Sequence, residues 1–241
     1  MRNSVTAAIF GLLLGTGQAT ASPLIWSSVL GGAAGGALRE NFDSLDIGAA
    51  TQVTPTGIAV QLSGTARVVV GSLSGRYAAP FLTGANGAGF GDGGGDQAGG
   101  ANLTTYLSTG SSGADSSSQV TLILPFKVDH VGLLWGSVDA YNSLSLYDGA
   151  MLIGTLTGAQ IATPSNGNQG PDGTRYVNIE SAASFDRLVF TSTQYAFEFD
   201  NLAIRSSLTS ALALVPAPGP TAILAAGLLA LAALRRRRAA A

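Results

Sequence analysis

Between residues 38 and 206 apolar side chains come in short runs, several of them alternating with polar ones, separated by Gly, Ser, Asn and Asp. That pattern belongs to strands rather than helices. It predicts nine strands: Ile58–Leu62, Ala66–Val70, Gln119–Leu124, Val128–Trp135, Ser143–Tyr147, Met151–Leu156, Tyr176–Ile179, Arg187–Thr191 and Ala196–Ile204. Asp148-Gly149, between the fifth and sixth, predicts a tight hairpin because both positions tolerate φ > 0. Nine strands in one stretch predict an all-β domain, a jelly-roll-like β-sandwich. Residues 22–37 include the Gly/Ala-rich run Val29–Ala37 and are expected to be a flexible lead-in. Phe81–Ser118 contains GANGAGFGDGGGDQAGGAN and STGSSGADSSS and reads as a flexible surface excursion. Its Asp92 and Asp96 do not recur at a fixed period, as a calcium-binding repeat would require.

The two ends follow a different pattern. Arg2, the apolar run Val5–Leu14 and Ala19-Thr20-Ala21 stand in the order of a secretory signal peptide over 1–21. The A-x-A positions Ala19 and Ala21 place cleavage before Ser22, by signal peptidase. At the other end a linker over 207–214 leads into 215–241. There Val215, Pro216, Ala217 and Pro218 open an extended segment, because each Pro fixes its own φ and pushes the preceding residue out of the α region. Thr221–Leu234 is then built from Ala, Leu, Ile and Gly after its first residue, and Arg235, Arg236, Arg237 and Arg238 follow directly. A single transmembrane helix over 221–234, stopped by the arginines on the cytoplasmic side of the inner membrane, is the expected reading. Fourteen residues are short against the roughly 20 needed for a full span. Arginine snorkelling recovers a few ångströms, so the segment suits a temporary anchor. Four arginines at its end would suit a buried core helix poorly.

Composition sharpens this picture in two ways. There is no cysteine, so stability has to come from a hydrophobic core rather than a disulfide framework. The chain has 12 basic and 14 acidic residues, and five of the basic ones lie in the end segments. The stretch between them has 7 basic against 14 acidic, a net charge of −7. That excludes nucleic acid as a partner, which requires a basic face. It is compatible with bound cations and with neutral polysaccharide.

The order of proline motif, short apolar helix and terminal arginines resembles the PEP-CTERM protein-sorting domain. In that family the motif is Val-Pro-Glu-Pro; here Ala217 stands in the place of Glu. The resemblance implies that exosortase, a membrane transpeptidase-like enzyme, processes the tail. Three further stretches, Leu133–Gly158, Arg175–Glu180 and Phe185–Ile204, are similar to the β-rich Npun-type exosortase-dependent surface proteins. That resemblance implies a secreted surface or matrix β-sandwich and brings no catalytic residues with it.

Little in the chain points to catalysis. A Ser-His-Asp triad would have to use His130, the single histidine, and no G-x-S-x-G elbow supplies a nucleophile. Zinc lacks ligands without cysteine or a second histidine. Glu40, Glu180 and Glu198 belong to no motif and are expected to be solvated surface groups, so no catalytic residue is assigned and no enzyme is expected. A structural Ca²⁺ is the one candidate cofactor. Asp43 stands near the start of the domain and Asp200 and Asn201 near its end. Pairing of the first and last strands would bring these hard oxygen ligands together. Trp135, Tyr141 and Tyr147 are candidates for stacking on sugar rings, with Trp135 expected in the core because it lies in an apolar run. The expected function is therefore an exported surface or matrix protein. The alternatives are a carbohydrate- or ice-binding module with the same tail, for which Thr191-Ser192-Thr193 is the one array-like hint, and a secreted hydrolase. A carboxylate pair lining a cleft would favour the hydrolase.

Overall fold

The computed structural model describes residues 24–91, 97, 99–110 and 118–206. The signal segment, the linker and the sorting tail lie outside these residues. Among the described residues no helix is long and apolar enough to cross a membrane.

Two long strands organise everything else. Strand β9 runs from Gln119 to Gly136 and β12 from Arg175 to Ser192, 18 residues each. They pair antiparallel along most of their length, with register shifts between Glu180, Phe185 and Arg187. On β9 the stretch opposite this break contains Pro125, which has no N–H to give to a ladder. The inward-facing parity changes across the break. Val120, Leu122 and Leu124 enter the core from one half of β9, and Val131, Leu133 and Trp135 from the other. On β12 the switch is from Val177 and Ile179 to Leu188 and Phe190. Because the side-chain period of a strand is two, an irregular stretch is what lets both halves of a bent strand face one core.

Each half recruits its own neighbours. The half containing Gln119–Ile123 and Arg187–Thr191 is flanked by the hairpin β10 (Asn142–Asp148) and β11 (Met151–Thr157) on one side. On its other side stand β4 (Ala59–Ser63) and then β3 (Thr51–Val53). The turn between β10 and β11 has Gly149 at φ 56°, as expected from Asp148-Gly149. The other half adds β1 (Leu24–Val29) against β12 and β13 (Phe197–Arg205) against β9. Beyond β13 come β8 (Thr105–Thr109) with β5 (Arg67–Val70), and β2 (Leu38–Glu40). These eleven strands form one antiparallel sheet. A single cluster that includes Phe42, Leu107, Trp135, Phe185, Phe190, Phe197 and Phe199 fills the space the sheet encloses. Phe190 and Phe199 stack at 3.7 Å between centroids, and Trp135 on Phe197 at 4.3 Å.

The all-β expectation holds, with corrections at several places. Residues 24–29, expected to be lead-in, form β1, whose Leu24 packs against the bare backbone of Gly154. The paired stretches predicted on either side of Pro125 and of Ser181–Asp186 are each one continuous bent strand. One short helix, α1 (Gly158–Ile161), lies inside the domain rather than at its ends. Much of the expected surface excursion is a cover. The two-residue strands β6 (Phe81–Leu82) and β7 (Gly100–Ala101) pair, and Leu82 and Phe90 bury against Leu134, Tyr176 and Ala203 on the outward face of the sheet. Ala33 and Ala37, from the Gly/Ala-rich run, pack on the same cluster.

Candidate functional site

The candidate site is built where this cover meets β13. Residues 197–200 alternate: Phe197 and Phe199 point into the core, so Glu198 and Asp200 face the cover. Both are buried. A carboxyl group in that position must find hydrogen-bond donors.

Glu198 finds two. Its Oε1 accepts from the Ala78 backbone N–H at 2.8 Å, and its Oε2 accepts from Ser137 Oγ. Burial, the larger effect, outweighs the pull of these two donors and leaves its pKa raised to about 7. Near it a cleft of about 190 Å³ opens to the surface. Asp139 forms another part of the wall. Its carboxyl is also held above the ordinary range by burial, offset in part by the Tyr141 hydroxyl beside it. Gly167, at φ 67°, lies against that carboxylate so closely that a Cβ there would sit 2.7 Å from Oδ1.

Three half-buried tyrosines complete the cleft: Tyr77, Tyr141 and Tyr195. The Tyr141 hydroxyl donates to the Tyr195 carbonyl at 2.9 Å, which fixes the loop between β12 and β13 to the loop before β10. At the rim the exposed Arg76 donates from Nη1 to the Tyr195 hydroxyl at 3.0 Å, with its guanidinium 4.9 Å from the centre of that ring. This geometry is a cation–π contact. Asn166 and Gln169, both exposed, add amide groups opposite. The cleft thus presents aromatic faces, amides, one guanidinium and two carboxyls whose charged forms are disfavoured.

The candidate cation ligands share one neighbourhood. Strand β2 pairs with β13 at Glu40↔Leu202, and Asp43 follows three residues after β2. Asp200 Oδ2 accepts from Asn102 Nδ2 at 2.6 Å and its Oδ1 from the Asn201 N–H at 2.8 Å. Asn201, at φ 49°, occupies a bulge in which two residues of β13 oppose one of β9, and its carbonyl accepts from the Tyr176 hydroxyl at 2.9 Å. Gly132 makes room for that tyrosine, since a Cβ would lie 2.8 Å from its ring. Asp43 is exposed and accepts from Asn41 Nδ2 at 2.9 Å. Each Asp200 oxygen that accepts one of these N–H groups keeps a second lone pair. Among the described residues no group of three or more acidic or histidine side chains is gathered as a metal cluster.

The other sequence candidates fall into place as follows. Glu40 and Glu198, expected to be solvated, are buried, and Glu40 accepts from the Phe42 N–H and the Thr56 hydroxyl. Glu180, on the opposite flank, binds His130 Nδ1 at 2.8 Å and Arg205 Nη2 at 2.9 Å. His130 is buried, and burial holds its pKa below the ordinary value. Trp135 is in the core as expected, and Tyr147 carries Arg187 over its ring at 4.5 Å. The sorting-motif residues, the arginine cluster and Ala19 and Ala21 lie outside the described residues. Sequence reasoning offered Tyr141 as a stacking residue but set Glu198 aside as solvated and missed Arg76, Asp139 and Tyr195.

No family model and no curated protein matches the chain. Among solved structures it is similar to the K1 cleaved adhesin domain of Lys-gingipain from Porphyromonas gingivalis W83. The identity is 13%, over 71% of this chain and 99% of that one, with a TM-score of 0.37. A likeness this slight bears on neither topology nor function.

Proposed function

We propose that this is an exported structural or binding protein of the cell surface or extracellular matrix, sorted by exosortase through residues 215–241. It acts as a substrate of the sorting machinery and not as an enzyme. The observation that carries the reading is the order, along the sequence, of Val215–Pro218, the apolar Thr221–Leu234 and Arg235–Arg238. The signal-peptide pattern over 1–21 and the absence of cysteine support export. A bent antiparallel sheet closing over one core supports the sandwich architecture of jelly-roll type. Each Arg costs roughly 2.5–3.5 kcal/mol at the centre of a membrane helix, so four in a row stop translocation. The proline motif is then left extended at the outer face, where a processing enzyme reaches its peptide bonds.

The test replaces Arg235–Arg238 by Gln and blots membrane and medium fractions from hosts with and without exosortase. The expected result is a processed species only for the wild-type chain in the host that has the enzyme. Equal amounts of the same species in both hosts would leave the tail as a passive anchor and end the sorting assignment.

Two alternatives draw on the cleft. Tyrosine faces beside amide and carboxyl groups favour a carbohydrate-binding module. The Asp139 and Glu198 carboxyls are the cleft pair that a hydrolase would need. Glu198, however, already spends both oxygens on Ala78 and Ser137, which suits a support better than a proton donor.

A further inference from the structure

We propose that the cleft between Arg76, Tyr141, Tyr195 and Asp139 binds a single neutral sugar ring. The inference deepens the surface-protein reading and rests on it for the origin of the ligand only. The cleft's own geometry selects the chemical class.

Size comes first. About 190 Å³ is below the roughly 300–1,000 Å³ of sites for drug-sized ligands, and fits one ring rather than an extended peptide. Charge comes next. An anion entering the cleft would approach two carboxyl groups, Asp139 and Glu198. A cation would meet the charge of the Arg76 guanidinium at the rim. A neutral ligand meets neither obstacle. Hydrogen bonding narrows the class further. Arg76 offers N–H groups and Asn166 and Gln169 offer both donors and acceptors, all exposed at the rim, while Asp139 offers an acceptor within. Ligand hydroxyls can serve either partner. One face of Tyr195 carries Arg76, so the C–H side of a pyranose packs on Tyr77, Tyr141 and the remaining surface of Tyr195. A polyhydroxylated ring with one apolar face satisfies all of these together.

The test is saturation-transfer NMR on the purified full-length chain, held in a zwitterionic detergent that contains no sugar. D-glucose, D-galactose and D-mannose are tested singly, then maltose and cellobiose, with choline and methanesulfonate as the cationic and anionic probes. Transfer to the ring protons of at least one sugar, and none to the methyl protons of choline or methanesulfonate, is expected. Stronger transfer to a disaccharide than to its monosaccharide would make a polysaccharide the source, and equal transfer a free sugar; both support the ligand class. Tyr195→Ala should lower the signal at least fivefold and Tyr195→Phe less than twofold, because the ring face is kept. Arg76→Gln, at an exposed position where misfolding is not an issue, should lower it at least threefold. No transfer to any sugar with the wild-type chain would overturn the proposal, as would full transfer to the Tyr195→Ala and Arg76→Gln variants or a preference for choline. These outcomes concern a purified chain and leave the sorting assignment to its own test.

Discussion

Glu198 and Asp200 are two residues apart on β13, face the same way and are both buried, yet their surroundings differ in kind. Asp200 is closed in. Asn102 and Asn201 donate to its two oxygens, and Leu82 and Phe90 seal the outward face of the sheet nearby. Glu198 is held by Ala78 and Ser137 on the wall of an open cleft with three tyrosines and an exposed arginine. A carboxyl ringed by protein donors under an apolar cover fastens the cover to the sheet. A carboxyl beside open space, with its pKa raised, marks the place of the proposed sugar site.

The largest expected effect is at the closed end. Asp200→Ala strands the Asn102 amide and the Asn201 N–H in a buried place, and each stranded donor costs about 1–3 kcal/mol. A loss of roughly 4 kcal/mol in urea denaturation is expected on that basis. A loss below about 1 kcal/mol would show that water replaces the carboxyl and that this end is not closed.

Next comes the pH dependence at the open end. The folded pKa of Glu198 is about 7 against 4.5 for the ordinary group, so the folded state holds the proton more tightly. Stability therefore falls as pH rises from about 4.5 to 7, by about 3 kcal/mol in total at 1.36 kcal/mol per pH unit. Asp139 acts in the same direction and His130, with its lowered pKa, in the opposite one. Both remain in Glu198→Gln, so the difference between wild type and variant isolates Glu198. The variant should gain on the wild type across that window. Parallel curves would mean that Glu198 is better solvated than its burial implies.

Calcium sharpens the contrast. If burial under the cover leaves Asp200 no room for an ion, 1 mM calcium should change stability by less than about 0.5 kcal/mol. An ion present at a hundredfold its dissociation constant would add about 2.7 kcal/mol. A gain of that size, removed by Asp200→Asn, would restore the shared-ion reading. The smallest effect is at the rim: Arg76→Gln should shift stability by no more than about 0.5 kcal/mol, as an exposed substitution does. A larger loss would make the arginine part of the framework rather than of the site.

The strand centres were legible because alternation is a local property. Leu144 and Leu146, or Val120 and Leu122, show it within a few residues. The gap around Pro125 separated two predicted runs, and that gap marks the bend of β9. What escaped was whatever depends on distant partners. Strand β1 follows a leader-like segment and has polar Ser27 and Ser28 in its middle, so only its pairing with β12 makes it a strand. The composition of residues 81–101 suggested a loose loop, yet Leu82 and Phe90 have an apolar face to cover. The cleft draws Arg76, Asp139, Tyr141 and Tyr195 from three separate connections, at sequence distances up to 119 residues. No spacing rule links such positions. Tyr141 and Tyr195 become neighbours because the loops before β10 and after β12 lie at one end of a strand pair in which Asn142 faces Ser192.

Both assemblies belong to a domain proposed here to lie at the cell exterior, and intact mass tests that proposal most directly. Protein recovered from the medium of a host with exosortase should begin at Ser22 and lack Thr221–Ala241. The same host without the enzyme should release no such species. A released chain that still carries Arg235–Arg238, or an identical mass from both hosts, would contradict sorting through the tail.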